Sequence, residues 1–160
     1  WKTGHSFIKA KMKETGALLA GEMSGHVFFK ERWFGFDDGL YAGARLLEYL
    51  SKQADLNATL HGLPDTVNTP ELNIKMAEGE HYALMDTLQK TAKFPDAKEV
   101  ITLDGLRVEY ADGFGLARPS NTTPVIVLRF EADNTAALER IQADFRGVIH
   151  AAAPGLALPF

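Results

Sequence analysis

Val100-Ile101-Thr102-Leu103-Asp104-Gly105-Leu106-Arg107-Val108-Glu109-Tyr110 is the stretch on which the fold turns. Two alternating runs flank an Asp-Gly pair, and that pair suits the positive φ of a tight hairpin turn. Downstream, Phe114-Gly115-Leu116-Ala117-Arg118 reads as a further strand running into a polar loop. Val125-Ile126-Val127-Leu128-Arg129-Phe130 reads as the strand that follows it. Upstream, Leu72-Asn73-Ile74-Lys75-Met76 alternates as a strand. Glu80 to Ala92 then reads as a helix with Tyr82, Leu84, Met85 and Leu88 available for burial. Asn134 or Thr135 caps a last helix that presents Ala137, Leu138, Ile141, Phe145 and Ile149 on one side. The pattern predicts an α+β unit: a mainly antiparallel, four-stranded sheet with two helices on one face.

The first part of the chain reads as the end of a mixed α/β domain. Ser6 is the expected cap of a helix over Phe7 to Thr15, stopped at Gly16. Ala17-Leu18-Leu19-Ala20 reads as a short buried strand, and His26 to Trp33 as a second strand. Asp37 or Asp38 caps a helix through Tyr41 to Leu50. A unit this small is marginal on its own. That, with a start at Trp1 rather than at Met, suggests the later part of a domain from a longer protein. Turn-forming residues concentrate at Gly62-Leu63-Pro64-Asp65-Thr66-Val67-Asn68-Thr69-Pro70, which sets a boundary between residues 1–65 and 66–160.

Composition narrows the function. The 160 residues are 46% hydrophobic and 24% charged, ordinary values for a globular protein. Net charge is −4, with residues 1–54 at +2 and the remainder at −6, so a general nucleic-acid or acidic-membrane binder is not expected. The absence of cysteine excludes disulfides, thiolate nucleophiles and Cys-ligated zinc. No apolar run reaches the ~20 residues of a membrane span, and the charged start does not resemble a signal peptide. A cytoplasmic setting is expected.

Two loops concentrate chemistry. In Gly21-Glu22-Met23-Ser24-Gly25-His26, the alternating Glu22, Ser24 and His26 would point one way from an extended segment. An acceptor, a hydroxyl and an imidazole suit a polyhydroxylated ligand. A metal site would need a fourth ligand that is not evident, and an ordinary polar turn is the third reading. In Arg118-Pro119-Ser120-Asn121-Thr122-Thr123-Pro124, a guanidinium precedes three hydroxyls and an amide. Arg matches phosphate geometry, the loop's amides and hydroxyls can complete an anion nest, and the prolines limit its freedom. The alternative is a stiff strand connection with Arg118 in a surface ion pair. His5, after Gly4, can bind an anion, transfer a proton or serve only at the surface. Phe28, Phe29, Trp33, Phe34 and Phe36 offer either a sugar platform or core and interface packing.

Lys2-Thr3-Gly4-His5-Ser6 and these two loops, in that order and at that separation, resemble the alpha-D-phosphohexomutase family, in particular its bacterial phosphomannomutase/phosphoglucomutase members. The resemblance covers the whole chain. It implies the later part of the third domain over residues 1–65 and a fourth, TATA-binding-protein-like domain over 66–160. It implies interconversion of hexose 1-phosphate and hexose 6-phosphate, of glucose and mannose, through a phosphoserine and a 1,6-bisphosphate intermediate. Glu22 and Ser24 then resemble the residues that hold sugar hydroxyls, with Met23, Gly25 and His26 completing that loop. His5 resembles a catalytic residue beside the transferring phosphoryl group. Arg118, Ser120, Asn121 and Thr122 resemble the site of the non-transferring phosphate, with Pro119 shaping it. The family's phosphoserine loop and Asp-rich magnesium loop have no counterpart here. Mg2+ and glucose 1,6-bisphosphate are therefore expected to serve the full-length enzyme, together with its N-terminal domains, and no metal ligand is expected among these residues. The chain alone is expected to be inactive. The alternative is a stand-alone sugar-phosphate-binding or interaction module.

Overall fold

Gly4, not Ser6, precedes the first helix. In the computed structural model, which describes residues 1–160, α1 spans His5–Thr15 and no side chain caps it. Gly4 has φ 124°, a backbone that side chains disfavour. Its carbonyl accepts from the Ile8 amide at 3.1 Å, which moves the helix start ahead of Ser6. The chain divides into two units, Trp1–Pro64 and Asp65–Phe160.

In the first unit, β1 (Leu19–Gly21) pairs antiparallel with β2 (Val27–Phe29). The apolar run before the loop is not a buried strand: Leu18 and Leu19 are 58% and 57% exposed. Nor does β2 continue to Trp33. The amides of Lys30 and Glu31 both donate to the Leu18 carbonyl, and Arg32 turns the chain at φ 60°. α2 (Gly39–Leu50) starts where Asp38 accepts from the Tyr41 amide at 3.0 Å, and Asp55 caps a short α3 (Leu56–His61) that the sequence pattern did not suggest. Within this unit only Met12 and Phe28 are fully buried apolar residues, so α2 carries its apolar stripe outward.

The aromatic run divides in two. Phe28 is core, whereas Trp33 stacks on Tyr41 with centroids 4.3 Å apart and Phe29 meets the same ring edge-on. The Arg45 guanidinium lies 4.7 Å from the Phe29 ring centre. Arg45 also joins Glu31, Arg32, Glu48 and Lys52 in an ion-pair cluster. Hydrogen bonds from Lys52 and Arg32 pull the Glu48 carboxyl down to about 2. A carboxyl lowered in the fold stabilises it above the unfolded range, near 4.5, and loses that contribution as pH falls towards 2. Glu48→Gln is therefore expected to flatten acid destabilisation of this unit between those values, read as melting temperature against pH. Curves that stay parallel would show that the cluster does not couple to folding.

The second unit keeps the predicted order of elements, but its sheet has six strands rather than four. Its elements are β3 (Val67–Asn68), β4 (Leu72–Lys75), α4 (Glu80–Thr91), β5 (Glu99–Ile101), β6 (Leu106–Glu109), β7 (Gly113–Pro119), β8 (Val125–Ala132) and α5 (Thr135–Ala152). β5 is the first arm of the expected hairpin, and β3 was not expected. The antiparallel body runs β4-β8-β7-β6. β5 extends the β6 edge, and β3 continues β4 along β8 beyond a break at Pro70, which has no amide hydrogen for a ladder. Both helices pack into one core with Ile74, Val108, Ile126, Leu128 and Phe130 of the sheet.

The α4 stripe is shifted by one residue from the expected set. His81, Leu84, Met85 and Leu88 are buried, at helical spacing, while Tyr82 is 44% exposed and donates its hydroxyl to the Ser120 carbonyl at 3.3 Å. In the hairpin turn, Gly105 sits at φ 85° directly against β7. A Cβ there would lie 2.6 Å from the Arg118 Cα. Gln89 donates to the Gly105 carbonyl at 2.6 Å and ties that turn to α4.

Candidate functional site

The Glu22 loop is a tight hairpin turn between β1 and β2. The Glu22 amide donates to the His26 carbonyl at 2.8 Å, and the Gly25 amide to the Glu22 carbonyl at 2.9 Å. The segment is not extended, so Glu22, Ser24 and His26 do not share a face by alternation. A turn this tight instead sets Glu22 and His26 at its two feet, with Met23, Ser24 and Gly25 exposed at its tip.

Each foot is held by a different partner. The Glu22 carboxylate accepts from the Gly4 amide at 3.3 Å, which joins the turn to the start of α1, where His5 is exposed. His26 Nδ1 lies 2.7 Å from Asp37 Oδ2. The carboxylate orients the ring and leaves Nε2 to hold or pass a proton. Asp37 was legible only as a possible helix cap. The cap is Asp38, which frees Asp37 for the histidine. No three His, Asp or Glu side chains gather where they could hold a metal ion.

The Arg118 loop lies in the second unit, on the sheet face opposite the helices. Ladder partners share a face, so Asn73, Val127 and Arg118 form a row across β4, β8 and β7. Lys75 faces the same side beside Val125. An open cleft of about 630 Å³ is lined by Arg118, Ser120, Thr122 and Thr123 together with Glu71, Asn73, Lys75 and Met76. Pattern reading missed this last group because the pairing of β4 with β8 spans some fifty residues of sequence. The signal was present in the alternation of Leu72-Asn73-Ile74-Lys75, which puts both polar residues opposite the core.

Within the loop, Ser120 is buried and its hydroxyl is already engaged. It accepts from the amides of Thr122 and Thr123, each at 3.3 Å, and lies 3.3 and 3.2 Å from their hydroxyls. Hydrogen bonds from Ser120 N to Val125 O and from Met76 N to Pro124 O close the loop onto its neighbours. Asn121 and Thr122 are exposed, and Pro119 ends β7. Unlike Arg107, Arg129 and Arg140, which have carboxylate partners, Arg118 makes no ion pair. The surface-pair reading of Arg118 therefore has no partner to support it.

Residues 1–67 match the family model of the phosphoglucomutase/phosphomannomutase alpha/beta/alpha domain III, and residues 71–148 match that of the phosphoglucomutase/phosphomannomutase C-terminal domain. The chain is 64% identical over 149 residues to a phosphoglucomutase of Neisseria meningitidis serogroup A, covering 92% of this chain and 32% of that protein. It is 57% identical over 161 residues to the phosphomannomutase/phosphoglucomutase of Pseudomonas aeruginosa, covering 100% of this chain and 35% of that one. A crystal structure of a phosphoglucomutase/phosphomannomutase family protein from Burkholderia thailandensis superposes with a TM-score of 0.92 at 66% identity, covering 100% of this chain and 34% of that chain. The chain thus spans about a third of the length of the relatives it matches.

Proposed function

The chain belongs to the phosphoglucomutase/phosphomannomutase family, and from that premise we propose that it supplies the sugar-phosphate-holding part of a phosphohexomutase. The full-length protein then interconverts hexose 1-phosphates and 6-phosphates of glucose and mannose through a phosphoserine and a 1,6-bisphosphate. The observation that carries this reading is the unpaired Arg118 guanidinium at the head of a closed, hydroxyl-rich loop in an open cleft. Such a cation is available to a phosphate without first breaking an internal bond.

In this reading Arg118, Asn121 and Thr122 hold the phosphate that is not reacting. Ser120 keeps the loop in shape, because its hydroxyl is already used. Pro119 limits the loop's freedom. Glu22, Ser24 and His26 take the sugar hydroxyls, with Met23 and Gly25 forming the tip of the turn, and His5 stands near the transferring phosphoryl group. Holding the remote phosphate positions the sugar while charge develops elsewhere. In this reading magnesium and the serine donor belong to the rest of the full-length protein.

A coupled assay of the full-length protein with glucose 1-phosphate, magnesium and glucose 1,6-bisphosphate tests the function. Turnover is expected, and its absence would overturn the proposal. The chain by itself is expected to give none. In the full-length protein, Glu22→Ala is expected to raise KM for glucose 1-phosphate. It removes one contact to the Gly4 amide, worth about 0.5–1.5 kcal/mol of stability. A large loss of thermal stability with unchanged kinetics would make Glu22 structural only.

A further inference from the structure

Lys75 is exposed in the same cleft as Arg118 and, like it, has no carboxylate partner. Glu71, which lines the same cleft, is engaged by Arg129 Nη2 at 3.3 Å. The ladder places Lys75 opposite Val125, one row from the row that carries Arg118. The bond from Met76 N to Pro124 O fixes the end of β4 against the loop at 3.0 Å. Two unpaired cations, on the strands either side of β8, therefore line one cleft together with the loop's hydroxyls.

A phosphate monoester carries about −1.5 to −2 at neutral pH, since its second ionisation lies near 6. One guanidinium leaves part of that charge unmatched. Building on the phosphate-holding role of the Arg118 loop, we propose that Lys75 is a second cationic ligand for the same phosphate and favours its dianion. Arg118 supplies a planar fork that fixes direction, and Lys75 a flexible point charge that matches the second negative charge. Because β4 belongs to a different stretch of sequence from the loop, nothing in the loop motif itself indicates this residue.

The test uses the full-length protein and compares wild type, Lys75→Met, Lys75→Arg and Arg118→Ala with glucose 1-phosphate as substrate and inorganic phosphate as competitor. Lys75→Met is expected to lower kcat/KM about three- to tenfold, mostly through KM, because a contact made equally before and during reaction is lost. Phosphate should inhibit that variant more weakly by a similar factor, with less dependence on salt. Lys75→Arg should keep most of the wild-type value. If Lys75→Met matches wild type while Arg118→Ala is impaired, Lys75 takes no part and the loop assignment stands. If Arg118→Ala also matches wild type, the loop assignment itself fails and the Lys75 proposal falls with it. A loss confined to kcat with unchanged phosphate inhibition would also overturn it.

Discussion

Replacing Arg118 by alanine in the full-length protein is expected to lower kcat/KM for glucose 1-phosphate by about ten- to more than one-hundred-fold. A hydrogen bond to a charged group contributes roughly 1.5–3 kcal/mol, and each 1.4 kcal/mol is about a factor of ten. The fold should be unaffected, because Arg118 has no internal partner to lose. Arg118→Lys restores charge without the fork, so it should recover only part of the loss. Binding of a sugar that carries no phosphate should not change in either variant. Equal kcat/KM for all three proteins would make Arg118 a surface charge and remove the basis of the phosphate-binding proposal.

The second large effect is on stability and lies in the middle of β7. A Cβ on Gly115 would run into the Phe145 ring of α5. That ring has nowhere to retreat. It is fully buried, with Phe94 and Phe130 centred 5.1 and 5.2 Å away. Overpacking of a closed core costs typically about 1–3 kcal/mol, and Gly115→Ala is expected near the upper end. For a unit of this size, that corresponds to a fall of about 10 °C or more in melting temperature. Gly115→Val should cost more still. Scanning calorimetry of the full-length variants measures it, and an unchanged transition would show that α5 can shift away from the sheet.

Elements with strong local signals were legible in the sequence. The Asn134 cap and the α5 stripe depend on neighbours within a few residues, and each formed as read. The hairpin also formed, but β5 ends at Ile101 and pairs it with Arg107, so a longer loop over residues 102–105, with only Gly105 at positive φ, replaces the tight Asp-Gly turn. Local rules failed where two local choices competed or where a distant partner decided. On α4, counting apolar residues favoured Tyr82, but helical spacing buries His81 with Leu84, Met85 and Leu88. At α1, Ser6 is a good cap by type, yet Gly4 adopts the backbone that starts the helix. Leu18 and Leu19 were apolar enough to suggest burial, but composition alone cannot supply the surface that would cover them. The candidate site divides the same way. The loop residues were visible as motifs. Asp37 behind His26 and Lys75 across the cleft from Arg118 were not, since each is brought in by a partner eleven or more residues away.

Gly105 changes how inherited variation in this chain should be interpreted. It does not line the cleft, yet the hairpin passes so near β7 that any side chain there presses on the Arg118 backbone. A substitution at Gly105 is therefore expected to disturb the phosphate-holding role proposed for Arg118. Inspection of the loop motif would find it intact and class the allele as harmless. The two readings conflict only if function is equated with the residues that touch the ligand. The turn glycine and the arginine are one packing unit written at two places in the sequence, so if Arg118 holds phosphate as proposed, an allele at either should be grouped with the other.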